Sequence, residues 1–301
     1  MKEIFTVKHK HLCIALPLLA ALLLCLTGAA WPCRPPAQVI AHRGASAYAP
    51  ENTLPAFEKA IALGVQGVEC DILATADGYV VLSHDDTIDR CSDGTGRVDA
   101  MTLAQLRQYD FGAWFGEDFA GTPIPTLEEF LDAMKDIDLI LIELKGNGGD
   151  IAAKAVAAVK ARGLLEKTIF QSFGMDAVQA CKAADENAAV ALLYSPGSDY
   201  DKAVRKDPAG FCKQYGLDAL HPQYAALSSG IVRKCAKIGV EVRTWTANDW
   251  LFLVGGSGQG ARGLITDQPA LAQEMLRLPG FVRCILGGVC DLAYLIAPYV
   301  G

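Results

Sequence analysis

Short apolar runs recur along most of this chain, at residues 39–42, 68–73, 79–84, 139–145, 168–173, 189–194, 217–221, 240–246 and 263–266. Each has strand length, and several are apolar on both faces, as in a strand covered from two sides. Helical spacing of apolar positions marks residues 53–63, 127–135, 151–162, 175–185, 228–237 and 269–277. Thr126 and Glu129 add a capping-box signature to the second of these. Alternating β and α units with apolar strands predict an α/β fold, a parallel sheet covered by helices. Strand number and chain length fit a closed eight-stranded (β/α)8 barrel.

Nine strands are one too many for that barrel. The surplus falls at Asp77-Gly78 between two apolar runs, a strong hairpin signal. A two-residue loop there pairs Ala76 with Tyr79 and places Asp71 opposite His84 on one face. Residues 86–125 then break the β/α rhythm with Gly, Asp and aromatics, including Tyr109, Phe111 and Trp114. They are expected to form a small insertion after the hairpin, over one end of a barrel spanning residues 38–278. The run at residues 255–260, G-G-S-G-Q-G, superficially resembles a phosphate loop, but it precedes a strand instead of joining strand to helix. Residues 281–301 form an apolar tail that carries Arg283 and Asp291. That makes it a packing or membrane-surface segment more readily than a span.

The start of the chain reads as an export segment. Lys2, Lys8 and Lys10 against Glu3 precede an uncharged run over residues 12–30 that ends Gly28-Ala29-Ala30. Residues 1–30 are expected to be a signal peptide or an uncleaved membrane anchor, which places the rest outside the cytoplasm or tethers it to a membrane. The whole chain carries −7, the leader +2, and the remainder therefore −9. Such an acidic surface excludes nucleic acid as a partner, because no basic stripe neutralises its phosphates. No protein partner is indicated. Of ten cysteines none stands in C-x-x-C spacing, so a zinc or dithiol site has little support. Export permits disulfides, with Cys284 and Cys290 placed to close a small loop in the tail.

The chemistry gathers at strand ends. Ala41-His42-Arg43-Gly44 ends the first strand, Glu69 and Asp71 lie in the second, and Ser83-His84-Asp85 ends the third. Glu143 and Lys145 end the fourth. Residues two apart on a strand share a face, so Glu69 with Asp71, and Glu143 with Lys145, project together. Catalytic groups of α/β barrels sit at these carboxyl ends. Three buried carboxylates repel unless a cation or basic partners compensate them. Oxygen ligands without cysteine or clustered histidine select one hard divalent cation, Ca²⁺ or Mg²⁺. Arg43 and Lys145 suit phosphate oxygens, and His42 and His84 suit proton transfer in opposite senses. Trp245 is placed to wall the substrate, and His221 to pack structurally. Asn52 or Thr53 is expected to cap the helix that follows, with Pro55 in its first turn.

These stretches resemble the glycerophosphodiester phosphodiesterases. H-R-G-A-S-A-Y-A-P-E-N-T at residues 42–53, E-C-D-I at 69–72 and T-A-D-G-Y-V-V-L-S-H-D at 75–85 carry the likeness, with E-L-K at 143–145 and L-I-T-D-Q-P at 264–269. The resemblance implies a TIM-type barrel and hydrolysis of glycerophosphodiesters to glycerol 3-phosphate plus an alcohol. It further implies His42 and His84 as the acid/base pair, Glu69, Asp71 and Glu143 as metal ligands, and phosphate contacts from Arg43 and Lys145. The alternatives are a phospholipase D-like enzyme on sphingomyelin or lysophospholipids, or a binder of polar lipid fragments that does not cleave them.

Overall fold

The computed structural model describes residues 35–146 and 150–296; the expected leader and Cys33 lie outside them. Eight parallel strands close into a barrel: β1 (Gln38–His42), β2 (Gly67–Ala74), β4 (Leu139–Leu144), β5 (Thr168–Ser172), β6 (Ala189–Tyr194), β7 (Ala219–Pro222), β8 (Glu241–Thr244) and β9 (Gly263–Thr266). The seam is β1, which pairs with β9 on one side and with the first half of β2 on the other. Where β2 outruns β1, its upper half pairs antiparallel with β3 (Val80–Leu82), which stands outside the barrel as the surplus strand. Interior positions alternate with exterior ones. Ile40, Leu141, Ile169, Ala191, Ala219 and Ile265 fill the barrel, whereas Cys70, Ile72 and Ile142 face the surrounding helices.

The hairpin register differs from the expected one. Ile72 pairs with Leu82 and Ala74 with Val80, one residue out from the pairing a two-residue loop would give. The loop holds three residues, Ala76-Asp77-Gly78, closed by Thr75 N donating to Tyr79 O at 2.9 Å. Its last residue, Gly78, lies at φ +84°, the left-handed position such a turn requires. Ser83 therefore stands opposite Asp71, its N–H donating to the Asp71 carbonyl at 3.1 Å. His84 reaches the site from the turn beyond β3 and not from the strand face.

The helices are α1 (Leu54–Ala62), α2 (Leu103–Leu106), α3 (Leu127–Ala133), α4 (Ile151–Ala161), α5 (Met175–Ala184), α6 (Asp199–Lys206), α7 (Pro208–Tyr215), α8 (Ser229–Ala236), α9 (Trp250–Gln259), α10 (Pro269–Leu276) and α11 (Gly280–Ile296). The capping box of Thr126 and Glu129 starts α3, with both reciprocal bonds made. Thr53 is the N-cap of α1, yet neither its side chain nor that of Asn52 caps the helix: Thr53 Oγ1 donates to Pro50 O and Asn52 turns to Asp71. The segment between β3 and α3 packs its own cluster of Ile88, Val98, Leu106, Phe111 and Ile124 against Val81.

The glycine-rich run is helical and serves close packing. Residues 255–259 lie in α9, and α11 crosses Gly258 so tightly that no side chain fits there. A Cβ on Gly258 would sit 1.7 Å from Arg283 O, and one on Gly287 would sit 2.4 Å from the Gly258 carbonyl carbon. Among the described residues no helix is long and apolar enough to cross a membrane. The described cysteines are all free thiols. Cys284 and Cys290 lie six residues apart on α11, about 9 Å along its axis, beyond disulfide reach. The small loop expected between them does not form.

Candidate active site

Strand register assembles the acidic cluster. In β2 the partner of Asp71 is Glu143 of β4, and the partner of Glu69 across the seam is His42. Neighbouring strands lie about 4.8 Å apart, so these side chains meet at the carboxyl-end rim. One oxygen from each of Glu69, Asp71 and Glu143 falls within 4.8 Å of the others, and all three residues are buried.

Each carboxylate has its own holder. Arg43 sits at φ +57°, a left-handed conformation that turns its N–H onto Glu69 Oε2 at 3.0 Å. Its guanidinium reaches Asp71 Oδ2 at 3.2 Å and Glu51 Oε1 at 2.8 Å. Asn52, also left-handed, donates to Asp71 Oδ2 at 2.9 Å and accepts the Asp71 N–H at 3.1 Å. Lys145 Nζ lies 2.6 Å from Glu143 Oε1 and 3.1 Å from Asp71 Oδ1. Gln171 of β5 donates to Glu69 Oε1 at 3.1 Å.

These contacts divide the charge unevenly. Burial outweighs the nearby cations at Glu69, which is pushed up to about 7. Burial and the Asp71 charge lift Glu143 well above the carboxylate range. Burial acts the same way on Asp71, but Lys145 and Arg43 overcome it and hold that group below its ordinary value. With protein cations alone the cluster does not keep three negative charges. Asp71 Oδ1 also has no aligned hydrogen-bond donor. Three converging oxygens, too little compensating charge and one oxygen without a hydrogen bond fit a hard divalent cation.

The two histidines flank this cluster in one cleft of about 110 Å³, shared with Arg43, Lys145, Phe173 and Trp245. His42 Nδ1 lies 2.6 Å from Asp267 Oδ1, and His84 Nδ1 lies 2.7 Å from Asp85 Oδ1. In both, the carboxylate occupies Nδ1 and leaves Nε2 for the cleft. Burial disfavours the His42 charge, but the Asp267 hydrogen bond and Glu69 raise its pKa overall. Burial lowers that of His84, and the charges of Lys145 and Arg43 add to it against the opposing pull of Asp71 and Asp85. Trp245 stands at the wall, its Nε1 donating to His221 O at 2.7 Å and its ring edge-on to Phe173 at 5.3 Å. All eight residues singled out from the sequence thus come together at one rim.

The sequence profile of the glycerophosphoryl diester phosphodiesterase family matches residues 42–271. A glycerophosphodiester phosphodiesterase of Caldanaerobacter subterraneus subsp. tengcongensis is 35% identical over 248 residues, 80% of this chain and 98% of that protein. The chain belongs to the glycerophosphoryl diester phosphodiesterase family. It is an enzyme, a phosphodiesterase of the glycerophosphodiester class. The fold agrees. An Oleispira antarctica phosphodiesterase, solved with the product sn-glycerol-3-phosphate, has a TM-score of 0.69 at 28% identity, covering 80% of this chain and 97% of that one. A glycerophosphodiester phosphodiesterase of Agrobacterium tumefaciens has a TM-score of 0.69 at 25% identity, covering 79% and 99%.

Three residues of this cleft's surroundings carry no role in the sequence, Asp85, Asp267 and Gln171, and Asn52, expected as a helix cap, instead holds Asp71. Two had visible signals. Asp85 follows His84 directly, and Asp267 lies in the L-I-T-D-Q-P stretch that marks the family resemblance. Glu51 proves to be a bridge, accepting from Arg43 and from both Nη atoms of Arg90 in the insertion. His221 is buried inside the barrel below the site.

Proposed function

We propose that this enzyme hydrolyses glycerophosphodiesters to glycerol 3-phosphate and an alcohol, with Glu69, Asp71 and Glu143 holding one divalent cation, Mg²⁺ or Ca²⁺. The observation that carries this is the buried acidic cluster within one cleft of two carboxylate-anchored histidines. Held there, the cation would supply Lewis acidity to the phosphoryl group. Arg43 and Lys145 bind the remaining non-bridging oxygens, Arg43 by its fork and Lys145 as a point charge. His84, whose pKa is lowered, takes at Nε2 the proton of the glycerol 2-hydroxyl as it attacks phosphorus. His42, whose pKa is raised, gives a proton from Nε2 to the departing alcohol oxygen. Water then opens the cyclic phosphate with the two roles exchanged, giving glycerol 3-phosphate. Opposite shifts in two titratable groups are the usual mark of such a division. Trp245 and Phe173 supply the apolar wall of the cleft.

The test is phosphorus NMR of glycerophosphocholine with the chelator-treated enzyme, restoring Mg²⁺ or Ca²⁺ separately. The proposal expects no turnover without metal, and glycerol 3-phosphate with at least one of the two. Turnover unaffected by chelation, or a different phosphorus product, would contradict it.

A further inference from the structure

Below the acidic cluster, the barrel interior holds a second polar layer that the proposed reaction leaves idle. Gln171 of β5, His221 of β7 and Arg243 of β8 are all buried. The Gln171 amide joins the two layers: its Nε2 donates upward to Glu69 Oε1 at 3.1 Å, and its Oε1 lies 2.6 Å from His221 Nδ1. An amide can sit either way round. Turned over, Gln171 would set its oxygen against the Glu69 carboxylate, two acceptors in contact.

The Glu69 acceptor thus fixes the amide, and His221 meets the oxygen it presents. Burial, with Arg243 nearby, keeps the imidazole neutral, so one ring nitrogen alone carries hydrogen. The short contact to a carbonyl oxygen requires that hydrogen on Nδ1. Nε2 is then bare, buried and without a hydrogen-bond partner among the described residues. A histidine kept only for packing would be poorly chosen here, since an aliphatic side chain leaves no unsatisfied nitrogen.

We infer that His221 is a positioning residue for the cation site: through the Gln171 amide it holds the Glu69 side chain oriented for the metal. The inference rests on the reading of Glu69, Asp71 and Glu143 as a cation site. In this relay His221 Nδ1–H donates to Gln171 Oε1, and Gln171 Nε2 donates to Glu69 Oε1, which fixes that carboxylate beside Asp71 and Glu143.

The experiment is calorimetric titration of the metal-stripped full chain with Mg²⁺ and with Ca²⁺, for wild type, His221→Leu and His221→Asn. Leucine removes the donor, and binding is expected to weaken roughly 10–100-fold, the usual effect of losing a group that orients a metal ligand. Asparagine places an amide N–H near the Nδ1 position and is expected to retain most of the affinity. Wild-type binding that His221→Leu leaves unchanged would overturn the relay alone. A wild type that binds neither cation would overturn the cation site and the relay with it. Should His221→Leu not fold, nitrogen NMR of the wild-type imidazole decides: Nδ1–H is expected, and Nε2–H would overturn the inference.

Discussion

The two histidine arms reach one cleft by different constructions. His42 ends a barrel strand, and Asp267, just beyond the adjacent strand β9, holds its Nδ1. His84 lies on a turn outside the barrel, held by its own neighbour Asp85. Arg90 of the insertion grips Asp85 through Nε at 2.6 Å and clamps Glu51 through both Nη atoms. The His42 side chain is 14% exposed and that of His84 32%. A scaffold arm and a loop arm thus face each other across the carboxylates. At the scaffold arm the Asp267 hydrogen bond and the Glu69 charge overcome burial and the histidine pKa rises; at the loop arm burial, with Lys145 and Arg43, prevails over Asp71 and Asp85 and the histidine pKa falls. One cleft can supply a proton donor and a proton acceptor because the two arms have different surroundings.

The largest expected effect ignores that difference. His42→Ala and His84→Ala should each lower kcat/KM by about 10²–10⁴, the usual size of a general acid or base contribution. An unchanged rate in either, measured on glycerophosphocholine, would remove that arm from the chemistry. The next pair separates the arms. Asp267→Asn should cost roughly 10–100-fold, as loss of an orienting partner does elsewhere, and Asp85→Asn less, since water reaches the loop arm. Equal losses would contradict the distinction between scaffold and loop.

His221 supplies a third, wholly enclosed histidine as a reference for stability. It is neutral in the fold, whereas in the unfolded chain it titrates near its ordinary value of about 6.5. Below that pH the unfolded state takes up a proton the folded state does not. The His221 contribution should therefore be flat above about pH 6.5 and decline by about 1.4 kcal/mol per unit below it. Chemical denaturation of wild type against His221→Leu at pH 5 and 7.5 isolates this slope; a difference independent of pH would refute it. The smallest effect belongs to Arg90→Ala. Its pairs are half-exposed, worth about 1 kcal/mol or a factor of roughly five in rate, and high salt should mimic the change.

How much of this the sequence shows depends on distance along the chain. The barrel and the acidic cluster follow from local patterns: apolar runs, and carboxylates two residues apart in 69–71. The partners that tune the site are not local. His42 meets Asp267 across 225 positions and Glu69 meets Gln171 across 102, and only barrel closure creates those contacts. His84 arrives in the cleft although its expected register was wrong, because the chain leaves β3 at Leu82 and the strand's face rule no longer governs it. Helix α9 was hidden for a different reason. Four glycines in residues 255–260 argue against a helix, and packing against α11 overrides that preference. Helix α6 was obscured by its charge, with few apolar positions to show a period.

The reading of Glu69, Asp71 and Glu143 as one cation site carries the proposed chemistry. Equilibrium dialysis of metal-stripped protein against Mn²⁺, comparing wild type with Asp71→Asn, tests it most directly. One ion per wild-type chain is expected, competed by Mg²⁺ or Ca²⁺, and none at the same concentration for the folded variant. No bound ion in wild type, or equal binding in both, would contradict it.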